Sequence, residues 1–153
     1  MIQIQIGQEK KDYPEGTAWK QVAEEYQKFY ENDILLVNVN GKLQELHKGI
    51  REGRVKFITA ADKPGMSAYQ RSATLMMLKA FYEIVGAERI RKVSVDFSIG
   101  KGFFVDPEGD FQVTPQLLAQ VKEKMKEYAE AAIPIYKRSV GTDDAVEEFR
   151  RHR

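Results

Sequence analysis

Between Trp19 and Tyr30 the chain carries a single broad apolar stripe: Trp19, Val22, Ala23, Tyr26, Phe29 and Tyr30 recur at three- and four-residue spacing, while Lys20, Glu24, Glu25 and Lys28 take the other side. A segment with that period is a helix, and a stripe that bulky must be laid on something apolar. The flanking sequence supplies it in strand form. Ile2, Ile4 and Ile6 alternate with Gln3 and Gln5, which gives an opening strand with one dry and one wet face. A second short strand is expected over Lys11 to Tyr13, Pro14-Glu15-Gly16 turns the chain, and Thr17 is the expected helix N-cap. After the helix, Ile34 to Val39 is β-rich. Asn40-Gly41 is the strongest hairpin signal in the chain, Leu43 starts the return, a short helical turn follows near Leu46, and Lys56, Phe57 and Ile58 form the last strand. One helix crossing a small mixed sheet in this order is a ubiquitin-like β-grasp.

Thr59 to Gly65 is polar and contains Lys63-Pro64-Gly65, so the sequence places a domain boundary there, with one domain over 1–62 and a second over 63–153. The second half changes character. A long helix is expected from about Ser67 to Ile84, with Leu75, Leu78, Phe81 and Tyr82 on one face, ended by Gly86. Val93, Val95 and Phe97 alternate with Ser94, Asp96 and Ser98, and Gly100-Lys101-Gly102 turns into Phe103-Phe104-Val105, a hairpin pattern. Pro107-Glu108-Gly109-Asp110 reads as a further turn. Thr114-Pro115 opens a helix through Leu118, Val121, Met125 and Tyr128; Pro134 breaks it, Ile133 to Val140 is expected to be extended, and Thr142-Asp143-Asp144 caps a final helix. The fold class is therefore α+β throughout.

The 153 residues are 42% hydrophobic and 31% charged, enough to bury a core. No stretch approaches the ~20 apolar residues of a membrane span, and the N-terminus lacks a signal-peptide pattern, which makes a cytoplasmic location the expectation. With no cysteine, disulfides, thiolate metal sites and cysteine nucleophiles are excluded, and the two histidines, His47 and His152, lie far apart. The net charge of +1 is evenly spread: nine Lys and Arg against ten Asp and Glu up to Asp62, and fifteen against thirteen after it. Neither half carries the basic excess of an electrostatic nucleic-acid binder.

Individual motifs carry little chemistry. Gly100-Lys101-Gly102 lacks the spacing of a Walker loop and reads as a turn with an exposed lysine, with anion binding as its alternative. Glu24-Glu25 and Asp143-Asp144 suit solvated helix and cap positions, and His47 has no companion ligand. Arg89, Arg91 and Lys92 form a small basic patch, which Lys63, Arg71 or Lys101 would extend if the fold brought them together. Tyr69 is either a packing aromatic or a pocket wall.

Two runs carry a resemblance. Val37-Asn38-Val39-Asn40-Gly41-Lys42-Leu43 followed by Val55 to Asp62 resembles the TGS domain, the β-grasp module at the front of threonyl-tRNA synthetases. Arg71 to Met76, Gly102-Phe103-Phe104-Val105-Asp106 and Val113-Thr114-Pro115 resemble the adjoining editing domain. That domain's chemistry rests on a His-x-x-x-His pair and on later Cys and His residues. Gln70 and Thr74 stand in place of the pair here, and no cysteine is present, so the resemblance implies a module without editing residues. The same pair of modules precedes a P-loop domain in bacterial nucleoside kinases of the uridine kinase and phosphoribulokinase type. Tyr69-x-Arg71-Ser72 and Ser98 to Phe104 are similar to that group.

On this resemblance the leading expectation is a non-catalytic regulatory or ligand-binding module of a uridine kinase-like protein. Its partner would be a C-terminal P-loop kinase domain of the same polypeptide, and ATP and magnesium would bind only there. A nucleotide or other phosphorylated ligand would lie where Tyr69, Gln70 and Arg71 face Lys101 and Phe103. The alternative is an RNA- or tRNA-interacting module related to the N-terminal domains of threonyl-tRNA synthetase. A third reading, residual ester hydrolysis, lacks a water-activating group.

Overall fold

The computed structural model of the chain describes residues 1–100, 102–136 and 138–151. Seven strands and four α-helices follow in order: β1 Ile2–Ile6, β2 Glu9–Tyr13, α1 Trp19–Tyr26, β3 Ile34–Val39, β4 Lys42–Glu45, β5 Gly53–Thr59, α2 Lys63–Val85, β6 Ile90–Ile99, β7 Gly102–Gly109, α3 Pro115–Glu130 and α4 Thr142–Arg151. Contacts divide the chain into two compact units, Met1–Leu78 and Lys79–Arg153. The position expected as the domain boundary, Asp62/Lys63, is where α2 begins, and the division by contacts falls further along that helix.

In the first unit the sheet order is β2-β1-β5-β3-β4. β1 runs parallel to β5, and every other pair is antiparallel, which makes this unit a mixed β-grasp sheet. The alternation of each strand sets the core. Ile4, Val37, Val39, Val55 and Phe57 point to the side of α1 and pack with its Trp19, Val22 and Ala23. Asn40 (φ 50°) and Gly41 (φ 87°) both take left-handed backbone, the two-residue turn whose twist matches its strands.

Thr17 does not cap α1: its hydroxyl donates to Pro14 O at 2.8 Å, and Ala18 holds the cap position with its N–H donating to Gln21 Oε1 at 3.0 Å. The first helical N–H groups are satisfied instead by the 46–50 loop. Trp19 N donates to Lys48 O at 2.9 Å and Lys20 N to Leu46 O at 2.8 Å. That loop is a turn, not the helical turn expected near Leu46.

α2 starts four residues before the expected Ser67, and Pro64 and Gly65 lie in its first turn, where a missing N–H costs nothing. The Asp62 carboxylate accepts from Thr59 N at 2.9 Å, and Met66 N donates to Asp62 O at 2.9 Å, so the strand end and the helix start are one hydrogen-bonded corner. Gly65 is required there: a Cβ would sit 1.9 Å from Thr59 O.

In the second unit β6 and β7 form a two-stranded antiparallel ribbon. Pro107 to Gly109 continue β7 and do not turn, because a ribbon leaves each strand one free edge on which proline is tolerated. Along α2 the buried residues are Ala80, Phe81 and Val85, while Leu75 and Tyr82 of the expected face are exposed. Phe81 meets Phe111 edge-on at 5.4 Å. α3 opens as its sequence dictates, with Thr114 Oγ1 accepting from Leu117 N at 3.1 Å and Pro115 first in the helix. It buries Val121 and Tyr128, whereas Leu118 is exposed. The described residues between 133 and 140 form no strand. Among the described residues no helix is long and apolar enough to cross a membrane.

Candidate nucleic-acid interface

The alternation that sends Ile4, Val37, Val55 and Phe57 into the core sends their neighbours outward. Register places these neighbours side by side: Lys10 opposite Gln5, Gln5 beside Arg54, and Lys56 opposite Asn38, with Gln3 and Asp12 paired one step along. All of them but Asp12 line an open trough of about 1140 Å³ on the face of the sheet away from α1, together with Asn40, Gly41, Glu52 and Gly53.

The amides of this face are each half committed. Gln3 Nε2 donates to Asp12 Oδ1 at 3.2 Å and Gln5 Nε2 to Gly7 O at 3.1 Å. Asn38 Oδ1 on β3 accepts from Gly41 N at 2.8 Å, and Asn40 Oδ1, in the turn after β3, from Arg54 N at 2.9 Å. The fold thus fixes one end of each amide and leaves two acceptors on β1 and the donors of Asn38 and Asn40 for an external partner. Asn40 needs room that only glycine gives: a Cβ on Gly53, whose φ is 147°, would lie 2.4 Å from Asn40 Nδ2.

The charges divide unevenly between the two faces. On the α1 side, Lys11 Nζ binds Glu25 Oε2 at 2.5 Å, and Tyr13 donates to the same oxygen at 2.9 Å. The Glu25 partner holds the Lys11 ammonium above its usual range, and the Lys11 hydrogen bond holds Glu25 below the usual carboxylate range. Burial, and then the Glu25 hydrogen bond, push the Tyr13 hydroxyl up to about 12. These groups are consumed in pinning β2 to α1. On the open side, Lys10, Arg54 and Lys56 are exposed, and none makes an ion pair among the described residues. Glu52 lines the trough and Asp12, held by Gln3, stands on the same face, so three cations face two carboxylates.

The residues expected to form a ligand pocket are placed as follows. Tyr69, Gln70 and Arg71 are consecutive on α2, so their side chains leave the helix about 100° apart. Tyr69 and Arg71 are exposed and Gln70 is half-buried. Phe103 lies on β7 in the other unit and is exposed; Lys101 falls outside the described residues. The Thr74 hydroxyl donates to Gln70 O at 2.9 Å, a bond internal to the helix. Among the described residues no group of three or more His, Cys, Asp or Glu is placed to hold a metal ion. Within the basic patch expected from Arg89, Arg91 and Lys92, Arg89 donates to the backbone Asp110 O and Arg91 is ion-paired with Glu108.

No family model matches the chain. It is similar to curated threonine–tRNA ligases: 26% identical over 151 residues to that of Syntrophomonas wolfei, with 97% of this chain and 23% of the ligase covered. The likeness to threonine–tRNA ligase 1 of Bacillus subtilis is 28% over 144 residues, covering 91% of this chain and 21% of the ligase. To the Aquifex aeolicus ligase it is 28% over 113 residues, covering 72% and 18%. The chain spans about a fifth of the length of the curated relatives it matches. These relatives overturn the expectation of a uridine kinase regulatory module with a P-loop domain as partner. The likeness runs to threonine–tRNA ligases through both halves.

Proposed function

We propose that this chain is an RNA-contacting module related to the N-terminal domains of threonyl-tRNA synthetases, which binds tRNA and does not itself hydrolyse an aminoacyl ester. The observation that carries this reading is the collinear likeness to threonine–tRNA ligases across 97% and 91% of the chain, through the β-grasp and the following α+β unit alike. Two structural features support it. The open sheet face offers unpaired cations and half-committed amides, the groups that meet phosphates, hydroxyls and base edges. The helix positions that carry histidines in editing domains hold Gln70 and Thr74, bonded to each other through the helix, so the groups that would activate water are replaced by inert ones.

Fluorescence anisotropy of labelled tRNA with the full chain tests the binding half. Affinity that falls steeply with salt is expected, because phosphate contacts release counterions. No binding at low salt would refute it. Incubating the chain with an aminoacylated tRNA tests the other half, and release of the amino acid above the buffer rate would contradict the absence of hydrolysis.

A further inference from the structure

We infer that the open face of the β-grasp sheet is the RNA-docking surface, and that it engages the phosphates and 2′-hydroxyls of a double-helical stem and not unpaired bases. The inference rests on the RNA reading above and adds the surface and the kind of RNA it takes.

The pattern on the face carries the argument. Outward residues along one strand are about 6.6 to 6.8 Å apart and neighbouring strands about 4.8 Å. Lys10 on β2, Gln5 on β1 and Arg54 on β5 stand in one lateral row, so the Lys10 and Arg54 backbones are about 10 Å apart with an amide column between them. Lys56 extends the cation column along β5, and Asn38 on β3 stands beside it. An A-form stem presents the matching order on its wide, shallow minor groove: 2′-hydroxyls, each donor and acceptor, flanked by the phosphates of the two strands. The free acceptors of Gln3 and Gln5 and the free donors of Asn38 and Asn40 suit such hydroxyls.

Recognition of unpaired bases needs something this face lacks. Single-stranded RNA is gripped by aromatic side chains on which bases stack. No aromatic residue lines the trough. The tyrosines of the unit that do meet cations, Tyr13 and Tyr26, lie with Lys11 on the opposite side of the sheet.

The test is anisotropy with the full chain, a short blunt-ended RNA duplex and each of its strands alone, across a salt series. The probe protein carries Lys10→Gln, Arg54→Gln and Lys56→Gln together, which preserve side-chain length on exposed strand positions. A charge-matched control carries Lys92→Gln, Lys122→Gln and Arg150→Gln. Far-UV circular dichroism checks that both are folded. The expected results are tighter binding to the duplex than to either strand and a loss of about tenfold or more in duplex affinity for the sheet-face triple at low salt. The slope of log K against log salt should fall by about 2 to 3, the value for three lost phosphate contacts, and be unchanged in the control. If the sheet-face triple behaves like the control, or if single strands bind as tightly as the duplex, the surface assignment is wrong while the RNA reading stands. If the unsubstituted chain binds neither RNA, both are wrong.

Discussion

Trp19 is fully buried and is the sole tryptophan, and its indole N–H donates to Gln44 Oε1 at 3.0 Å, tying α1 to β4 across the core. Trp19→Phe keeps an aromatic ring but removes that donor and part of the volume. The unpaired amide oxygen costs about 1 kcal/mol, at the low end of the range because Gln44 is only half-buried. The lost transfer energy and residual cavity add about 1 to 2 kcal/mol. The sum, roughly 2 to 3 kcal/mol, compares with a total of about 4 to 12 kcal/mol for a unit the size of Met1–Leu78. At about 4 to 8 °C per kcal/mol the midpoint should drop by roughly 10 to 20 °C. Trp19→Ala, at about 3 to 5 kcal/mol, should leave the unit marginal or unfolded. Tryptophan fluorescence follows the parent, and far-UV circular dichroism must follow the variants. Gln44→Leu should cost about 1 kcal/mol alone and much less in the Trp19→Phe background, because the bond is then already gone. A Trp19→Phe loss under about 0.5 kcal/mol, the size of an ordinary surface change, would refute the claim that this contact pins the helix to the sheet.

Gly65→Ala forces a Cβ onto Thr59 O and should cost about 1 to 3 kcal/mol, read by chemical denaturation; a neutral outcome would mean the corner between β5 and α2 is loose. Gly53→Ala meets both the left-handed backbone and the Asn40 side chain, so it should destabilise the first unit by a similar amount and shift the amide signals of Asn40 and Arg54. In the second unit, Tyr128 first and then Lys124 hold the Glu83 carboxyl down at about 2 through hydrogen bonds. A depressed acid stabilises the fold above its unfolded pKa, and that contribution is lost as pH falls from the ordinary carboxylate range toward 2. Glu83→Gln should therefore flatten the acid limb of a stability-against-pH curve measured on the second unit's amide signals; an unchanged limb would contradict the assignment.

Much of the first unit was legible because its signals are local. The Ile2-Ile4-Ile6 alternation, the Trp19 to Tyr26 stripe and Asn40-Gly41 each dictate their own conformation, and Thr114-Pro115 does the same for α3. The burying face of α2 was less legible. The run from Leu75 to Val85 is apolar on nearly every side, so periodicity did not choose Ala80, Phe81 and Val85 over Leu75 and Tyr82. Pro107 reads as a turn residue in any sequence, and only the free edge of a two-stranded ribbon lets it stay in a strand.

The sheet face escaped sequence reading for a different reason. Lys10, Gln5, Arg54 and Lys56 become neighbours only because β1 pairs with β5 across the intervening chain. A count of charges along the sequence gives near-neutrality. Lys11, Lys20 and Lys48 are spent on Glu25, Glu24 and Glu45, and of the cations left over, Lys10, Arg54 and Lys56 share one face of the sheet. The kinase expectation rested on Tyr69-x-Arg71-Ser72 and Ser98 to Phe104, and the likeness to a threonine–tRNA ligase covers 97% of the chain.

The central claim is that the open sheet face meets RNA, and the most direct measurement is an amide NMR titration of the full chain with tRNA. The account predicts that the signals of Gln3, Gln5, Lys10, Asn38, Arg54 and Lys56 move together at low salt and return toward their free positions as salt is raised. Shifts that spare these six residues while others move would contradict it.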